Sequence, residues 1–475
     1  MPSLKNSFKY LWKKGLFSLF IIFGIVFSIN FSIHAQDSLP NTLSSAEKVF
    51  GLSKFWHEVN YNFVYFDKVD KKMWDDAFKE NIVKVQESKN DYEYYRALSK
   101  FCALLKDGHT NIYLPKYLQE YEFVTMFGDY RLFLKNVDHK VIVERVNESK
   151  QDEIPIGSII TEVNGVSTDD YLHKHVKPYI SSSTDYVLND IAAYNLLKGI
   201  KGQSFQIKIQ TPKGETKTLS LTHNKTTENE AFPAFESELF KLQWHENGIA
   251  HISLHSFSDD KINQEFVEKL PELYKAKALI VDLRSNGGGN TNIGTDILKY
   301  LINDTILHHS RYSTREHRAA FKAWGIQLEP KDTVQNAWNQ KCYLYNHDLK
   351  FYNFDYEPDT IHLVAKRLVV PTAVLIGHNT ASAAEDFLIS ADNQKHFIKI
   401  GERTFGSTGQ PYLFPMPGGG NARVCTKKDT YPDGREFVGV GIIPDIEVVP
   451  TLNDYINNND VVLDKAIEYL TKKIK

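Results

Sequence analysis

The fold is decided by the stretch VVPTAVLIGHNTASAAEDFLISA, residues 369–391. Its first part, up to Ile376, is a short apolar run of the kind that forms a buried strand. After it, apolar residues recur at i, i+3, i+4 and i+7, the spacing of one helical face. These residues are Ala384, Phe387, Leu388 and Ala391. The stretch therefore predicts a buried strand that leads through a short turn into a helix.

Ser382 stands where the strand leads into the helix. A serine there lies beside backbone N–H groups that have no partner in the first helical turn and can stabilise a developing oxyanion. It is also a good cap for an alanine-rich helix, as is Thr380, while Glu385 and Asp386 suit the positive end of the helix dipole. From this stretch alone the capping role is favoured, so the rest of the chain has to decide.

Length and composition set the outer limits. The chain has 475 residues, 42% of them hydrophobic, which is enough for two or three domains with a large core. A formal net charge of −3 gives no general reason to expect nucleic acid as a partner. Three cysteines allow at most one disulfide, and neither CxxC nor HExxH occurs. We therefore predict no disulfide-built scaffold, no metal and no cofactor.

The N-terminus has the pattern of an export signal. Four lysines within the first fourteen residues precede an uncharged run from Gly15 to Ile33, and polar residues follow Ala35. This pattern predicts a signal peptide over residues 1–35 and a mature chain in the periplasm or outside the cell. The apolar run is also long enough to span a bilayer, so an uncleaved membrane anchor is the alternative. A membrane partner is expected only in that case.

A helical domain is predicted over residues 36–119. Apolar residues at helical spacing between residues 45 and 105 indicate three helices, and Gly108 is placed to end the third. His109 follows in the sequence DGHT. A lone histidine after a helix is usually a surface residue, so its context has to decide its role.

A β-rich domain is predicted over residues 120–226. Residues 157–165 indicate a strand closed by an Asn-Gly turn, and residues 206–221 a hairpin. The sequence from 154 to 169 resembles the signature strand and turn of PDZ domains, which bind peptides by adding a strand to a sheet edge. Residues 127–130, FGDY, match the carboxylate-binding loop of that family only weakly, so binding of free C-termini is left open.

Residues 227–475 are predicted to form an α/β domain with a mainly buried sheet. A strand at residues 278–283 runs into the sequence RSNGGG, residues 284–289. Three consecutive glycines allow unusual backbone angles and a close approach of N–H groups to a ligand, although a simple flexible turn would look the same. Residues 303–366 are irregular, aromatic and polar, and their length suggests a cover or wall near a cleft.

Several motifs occur in a defined order along the chain. They are DGHT (107–110), DLRSNGGG (282–289), TASAAE (380–385), GERTFG (401–406) and GIIPD (441–445). Together they resemble the C-terminal processing peptidases and the core of tricorn protease, a family of serine peptidases. The resemblance implies an α/β superhelix of the ClpP and crotonase type, beside the helical and PDZ-like domains. It also implies an exported serine endopeptidase that hydrolyses unfolded or extended polypeptides.

The resemblance also assigns the site residues, with Ser382 as the nucleophile. One catalytic plan of the family uses a lysine after the TFG motif as the base, and the other uses a histidine with a supporting acid. Ser407 occupies the lysine position here, so the base is His109, whose pKa as a histidine suits the task. Glu436 is the expected supporting acid, while Glu385 is better placed for a capping role.

The backbone N–H groups of Gly288 and Ala383 match the oxyanion hole of the family. Two other functions fit the same fold, namely a non-catalytic protein that binds a ligand or peptide, and a PDZ-type scaffold with a structural α/β domain. The presence of both Ser382 and His109 favours the enzyme. The predicted partner is therefore a polypeptide substrate.

Overall fold

The computed structural model describes residues 39–474. The predicted signal peptide over residues 1–35 lies outside the described residues, as does the alternative anchor. Between residues 39 and 474 there is no helix that is both long enough and apolar enough to cross a bilayer.

Three helices open the described chain, as the apolar periodicity predicts. They are α1 (Ser45–Asn62), α2 (Lys71–Gln86) and α3 (Asp91–Ala103). Each begins at a polar cap, Ser44, Asp70 or Asn90, whose side chain accepts a backbone N–H from the first helical turn. Their buried faces meet around Trp74 and Phe101, whose rings stack with centroids 4.1 Å apart. Strand β1 (Asn111–Tyr113) and the short helix α4 (Lys116–Gln119) follow.

A β-rich segment comes next, with two helices. Its strands are β2 (Glu122–Phe123), β3 (Met126–Phe127), β4 (Tyr130–Val137), β5 (Lys140–Asn147), β6 (Ile159–Val163), β7 (Val166–Ser167), β8 (Gly199–Ile200), β9 (Ser204–Gln210), β10 (Thr216–Thr222) and β11 (Ala231–Phe232). Its helices are α5 (Thr168–Tyr171) and α6 (Asp185–Tyr194). The main sheet has the order β10-β9-β6-β5-β4-β3.

The predicted strand with its Asn-Gly turn and the predicted hairpin are both present. The Asn-Gly turn joins β6 to β7, with Asn164 at φ +53° and Gly165 at φ +76°, and β9 pairs with β10 in antiparallel register. Strand β11 pairs with β5, so the β-rich segment extends past residue 226. Helix α6 packs along β4, which pairs with β3 only through Tyr130 and Arg131. Within the described chain, the rest of this edge of β4 has no strand partner.

The last part of the chain alternates strands and helices. Its strands are β12 (Phe240–His245), β13 (Ile249–Leu254), β14 (Ala278–Asp282), β15 (Ile306–Leu307), β16 (Arg311–Arg315), β17 (Phe351–Asn353), β18 (Asp359–Thr360), β19 (Thr372–Ile376), β20 (Phe397–Gly401), β21 (Pro411–Pro415), β22 (Asn421–Cys425), β23 (Lys428–Thr430) and β24 (Ile446–Glu447). Its helices are α7 (Lys261–Leu273), α8 (Thr291–Leu301), α9 (Ala319–Trp324), α10 (Ala337–Asn346), α11 (Ala383–Ala391), α12 (Leu452–Ile456) and α13 (Val461–Lys473).

A six-stranded sheet of order β12-β13-β14-β19-β20-β24 forms the centre of this part, and only β12 runs antiparallel to its neighbour. Helices α7, α8 and α11 share one apolar core with one face of the sheet, while α13 packs on the other face. The loops after β14, β19 and β20 leave the sheet at the carboxyl ends of parallel strands, where such sheets place their sites. These loops carry the glycine run, Ser382 and Ser407.

The segment from 303 to 366 is more ordered than its sequence indicates. It contains α9 and α10, whose aromatic rings contact each other, and β16 pairs with both β17 and β23. The sequence shows no clear period here, because most of these elements are too short for one to be recognised. Arg315 donates to the carbonyl oxygens of Asn60 and Phe63, at 2.9 and 3.1 Å, so the segment rests against the helical part.

Candidate active site

Ser382 is the N-cap of α11 and has φ +54° and ψ −119°. A serine at positive φ is strained, and such a conformation persists only where its surroundings fix it. Thr380 supplies part of that support, because its Oγ1 donates to the carbonyl of Leu283 at 2.8 Å and accepts from the N–H of Gly377 at 3.1 Å. Of the two predicted caps, Ser382 therefore occupies the N-cap position and Thr380 ties the loop to the end of β14.

Gly288 approaches the nucleophile loop from the neighbouring strand. It has φ +93°, and a Cβ added to it would lie 2.6 Å from the carbonyl oxygen of Ala381 and 2.8 Å from the Cβ of Ser382. The same Cβ would lie 2.9 Å from the nitrogen of Ala383, so the structure brings both predicted oxyanion-hole residues together. The N–H of Gly288 already donates to Oδ1 of Asn286 at 2.9 Å. For the N–H of Ala383, no acceptor is present among residues 39–474.

Two residues of the DLRSNGGG motif to which the sequence analysis gave no role brace this loop. Asn286 is fully buried, and its carbonyl oxygen accepts the N–H of Ala381 at 3.0 Å. Arg284 donates to the carboxylates of Asp282 and Asp460, with shortest distances of 2.6 and 2.7 Å. The glycine loop is therefore joined both to the nucleophile loop and to the start of α13.

His109 lies on the turn between α3 and β1, with Nδ1 2.7 Å from the Oγ of Ser407. Burial lowers the pKa of His109 to about 4, helped by the positive charges of Arg423 and Lys427. At neutral pH the imidazole is therefore uncharged and able to accept a proton. Its Nε2 makes no hydrogen bond to any other described residue.

Gly108 does not end α3, so that prediction is wrong. The helix ends at Ala103, and the chain turns at Lys106, which has φ +50°. A Cβ at position 108 would lie 2.7 Å from the ring of Phe405 and 3.1 Å from the Oγ of Ser407. The glycine is needed because the histidine turn packs directly against the loop that follows β20.

Glu385 joins the nucleophile loop to the loop after β20. It is fully buried, and its Oε2 accepts the N–H groups of Ser382 at 3.1 Å and Ser407 at 3.3 Å. Its Oε1 accepts from the hydroxyl of Thr404 at 2.6 Å and the N–H of Gly406 at 2.8 Å. Burial raises the pKa of Glu385 to about 8, although these donors act in the opposite direction. The predicted capping bond is present, and the same carboxyl fixes two serines relative to each other.

Glu436, the expected supporting acid, is placed elsewhere. Its side chain is 48% exposed, and its carboxylate pairs with Lys428 and, at 3.6 Å, with Lys68. The hydrogen bond from Lys428 lowers the pKa of Glu436. The next residue, Phe437, is buried, whereas the side chain of Glu436 is half-exposed. The structure does not bring Glu436 to His109.

Ser407 is a functional candidate to which the sequence assigned no role beyond standing where a lysine was expected. It is fully buried, and it contacts His109 through its hydroxyl and Glu385 through its backbone. The signal in the sequence was its position directly after the GERTFG motif. The contact partner, His109, is 298 residues away in sequence, so spacing alone could not reveal the pair.

No metal centre accompanies these residues, since between residues 39 and 474 no group of His, Cys, Asp and Glu side chains is arranged to hold an ion. The three cysteines are buried and unpaired. A cavity of about 670 Å³ lies in the β-rich segment, between the turn at His139 and α6. None of its lining residues belongs to the loops of Ser382, His109 or Ser407, so this cavity is not part of the candidate active site.

Comparison with known proteins shows which peptidases this chain is similar to. The family described as Peptidase family S41 matches residues 248–448. A carboxyl-terminal-processing protease of Picosynechococcus sp. is 23% identical over 364 residues, covering 75% of this chain and 73% of the relative. The chloroplastic carboxyl-terminal-processing peptidase 2 of Arabidopsis thaliana is 20% identical over 432 residues, covering 89% of this chain and 73% of the relative.

The solved structure of mature CPAF complexed with lactacystin has the same mixed α/β fold. It matches with a TM-score of 0.67 at 15% identity and covers 91% of this chain and 98% of that chain. Residues 248–448 thus form a peptidase family S41 domain, and the chain is a serine peptidase homologous to the carboxyl-terminal processing proteases.

Proposed function

We propose that Ser382 is the nucleophile and His109 the general base of an exported endopeptidase that cuts unfolded or extended polypeptides. The observation that carries the proposal is the strained N-cap conformation of Ser382, held by a network that also reaches the histidine turn. Glu385 binds the backbone of both Ser382 and Ser407, and Ser407 lies against His109. Such strain at a helix N-terminus is typical of activated nucleophiles.

In this mechanism the Oγ of Ser382 attacks the substrate carbonyl carbon while Nε2 of His109 takes the hydroxyl proton. The imidazolium then gives that proton to the leaving amine as the peptide bond breaks. Water attacks the resulting ester in the second half, with His109 again removing and returning a proton. A His109 that is uncharged at neutral pH fits this cycle.

The oxyanion hole is proposed at Ala383 and Gly288. The N–H of Ala383 has no acceptor within the described chain, and it lies at the positive end of α11. The N–H of Gly288 is held by the neutral amide oxygen of Asn286. A developing oxyanion is a stronger acceptor than an amide oxygen, so it competes for this N–H as the tetrahedral intermediate forms.

The direct test of the proposed function is hydrolysis of an unfolded protein, such as reduced and alkylated casein, by the purified chain. We expect fragments from the wild type and none above background from Ser382→Ala. Equal cleavage by both proteins would show that another residue, or a contaminant, performs the chemistry. Binding without cleavage by the wild type would favour the non-catalytic alternative.

Ser407 is proposed to orient the imidazole in place of Glu436. Replacing Ser407 by Ala removes a hydrogen bond to a ring that becomes charged, so we expect kcat to fall about 10- to 100-fold. Glu436→Gln is the matched control, because it breaks only a half-exposed ion pair and should leave kcat close to wild type. Steady-state kinetics of both variants decide the matter. A larger loss in Glu436→Gln than in Ser407→Ala would return the supporting role to the glutamate.

The segment from 120 to 226 is proposed to act as a PDZ-like domain, between a helical domain over 36–119 and a catalytic domain over 227–475. The free edge of β4 beside α6 supports this, because an extended peptide can add to it as a strand. At the turn before β4, the N–H of Gly128 donates to the carbonyl oxygen of Asn224, and the next residue is the acidic Asp129. Both features disfavour a terminal carboxylate, so internal segments should bind as well as free C-termini.

We therefore expect an unstructured peptide to be cleaved with the same kcat/KM, within about twofold, whether its C-terminus is free or amidated. The reason is that strand addition uses main-chain hydrogen bonds along the peptide and needs no terminal charge. The measurement is a paired assay on one peptide sequence in both forms. A strong loss on amidation would demonstrate a carboxylate site.

We also propose a superhelical fold and export of the protein. A ClpP- and crotonase-type superhelix is supported by successive strand–helix units, β13–α7, β14–α8 and β19–α11, whose helices share one core on one sheet face. Export is supported by the N-terminal sequence. We expect mass spectrometry of the mature protein to show that it begins near Gln36. An intact N-terminus in the membrane fraction would favour the anchor instead.

A further inference from the structure

Residues 181–190 of the β-rich segment contact the three loops that carry His109, Ser407 and Ser382. At the histidine turn, Ser181 donates from its Oγ to the carbonyl oxygen of Asp107 at 2.8 Å. At the loop after β20, Tyr186 donates from its hydroxyl to the carbonyl oxygen of Thr404 at 2.6 Å. The peptidase site is therefore assembled against this stretch and not within the α/β part alone.

The third contact is made by His378, in the loop that leads to Ser382. Its Nδ1 lies 2.6 Å from Oδ2 of Asp190, and its ring stacks on Tyr186 with centroids 4.5 Å apart. Tyr186 and Asp190 are four residues apart on α6, so they present one face to the imidazole. Asn136 of β4 donates to the other carboxylate oxygen of Asp190 at 2.7 Å, which fixes its orientation.

We call the contact of His378 with Asp190 and Tyr186 the clasp. It lies four residues before the strained Ser382. The turn between His378 and Ser382 is short and is held by the hydrogen bonds of Thr380. A shift of His378 is therefore expected to displace Ser382 as well. A backbone at φ +54° relaxes when its supports are removed. Holding His378 in place therefore helps to hold the serine in its attacking conformation.

We propose that His378 is a positioning residue, whose pair with Asp190 holds the Ser382 loop and makes peptidase activity depend on the docking of α6. The inference rests on the assignment of Ser382 as the nucleophile. His378 acts through the loop and touches no reacting atom.

The charge state of His378 gives this role its own signature. Asp190 and Tyr186 face the ring from α6, and Glu402 faces it from the loop after β20, with Nε2 and Oε1 3.6 Å apart. Burial raises the pKa of Glu402, the charge of Lys135, on β4, lowers it, and the charge of Glu447, on β24, raises it further. Burial disfavours the charged ring, but the hydrogen bond and charge of Asp190, together with Glu402, outweigh it and raise the pKa of His378. The imidazolium offsets two carboxylates that would otherwise repel each other.

The sign of the pH effect follows from that direction. A raised pKa means that the charged pair is complete at pH values below it and is lost as the pH rises through it. Wild-type kcat should therefore fall on the alkaline side because the clasp opens. Glu385 also titrates near pH 8, but it does so in every variant, so differences between variants isolate His378.

The experiment compares kcat, KM and their pH profiles on one unstructured peptide for the full chain and its variants. For His378→Gln and Asp190→Asn we expect kcat at neutral pH to fall about tenfold with little change in KM. The double variant should be no worse than either single one, since both remove the same contact. His378→Lys restores a permanent cation and should move the alkaline loss to higher pH. His347→Gln is the matched control and should behave as wild type. His347 is exposed and is hydrogen-bonded only to the backbone oxygen of Tyr343 within the described chain.

Wild-type kcat and an unchanged alkaline limb in His378→Gln would overturn the proposal, as would additive losses in the double variant. Melting temperatures identify a variant that does not fold, and in that case His378→Lys, which keeps the charge, decides between the outcomes by its pH profile. Failure of the underlying assignment looks different, because Ser382→Ala would then remain active. A wild type that depends on Ser382 but not on His378 refutes the positioning role alone.

Discussion

Replacing His109 by Ala should lower kcat by roughly four to six orders of magnitude and leave KM near its wild-type value. The serine hydroxyl is a weak nucleophile until a neighbouring base accepts its proton. The position after the GERTFG motif holds Ser407, so no lysine is available there to replace the imidazole. Steady-state kinetics on an unstructured peptide measure the loss.

The matched comparison is Ser382→Ala, alone and combined with His109→Ala. Members of one catalytic unit are strongly non-additive, so the double variant should be about as inactive as either single one. On the acid side, the kcat of the wild type should rise as the pH increases through about 4. Burial lowers the pKa of His109 to about this value, and only the neutral ring accepts a proton. Near-normal turnover by His109→Ala would show that the base has been assigned wrongly.

Gly288→Ala should lower kcat by at least about 100- to 1,000-fold, the cost of losing one oxyanion donor. The new methyl group would lie 2.6 Å from the backbone oxygen of Ala381 and 2.8 Å from the Cβ of Ser382, and the residue would keep a φ of +93°. Because the nearest atom belongs to the backbone, the two loops have to move apart. Kinetics together with a melting temperature separate this local effect from global unfolding.

The adjacent Gly287→Ala is the matched control for this substitution. A Cβ at position 287 meets no atom within 4 Å, so the same chemical change should fit without moving the nucleophile loop. We expect its kcat to stay within about threefold of wild type, as for surface substitutions in general. Equal losses in the two variants would mean that loop flexibility, and not the contact at Ser382, explains the requirement for glycine.

The elements around the site were predictable from local pattern. The buried strand before Gly377 and the helix after Ser382 follow from apolar spacing, and both are present as β19 and α11. The glycine run needs unusual backbone angles, and Gly288 and Gly289 have them, at φ +93° and +139°. In each case the determining interactions lie within a few residues in the sequence.

What could not be predicted depends on contacts between distant parts of the chain. Gly108 looked like a helix stop, and its real constraint is the ring of Phe405, which lies about three hundred residues further on. Glu436 was assigned from the family resemblance, yet its carboxylate forms an ion pair with Lys428 of β23. The sequence marks Ser407 only by its position after the GERTFG motif, and its proposed role comes from the imidazole of His109 packed against it.

Ser382 is proposed to be an activated nucleophile, and covalent labelling with a fluorophosphonate probe is the direct test of this assignment. We expect the folded wild type to gain one adduct, which peptide mass mapping locates on Ser382. Ser382→Ala should gain none, and His109→Ala should label far more slowly. An unlabelled Ser382 in a preparation that cleaves unfolded protein, or an adduct on another serine, would contradict the account.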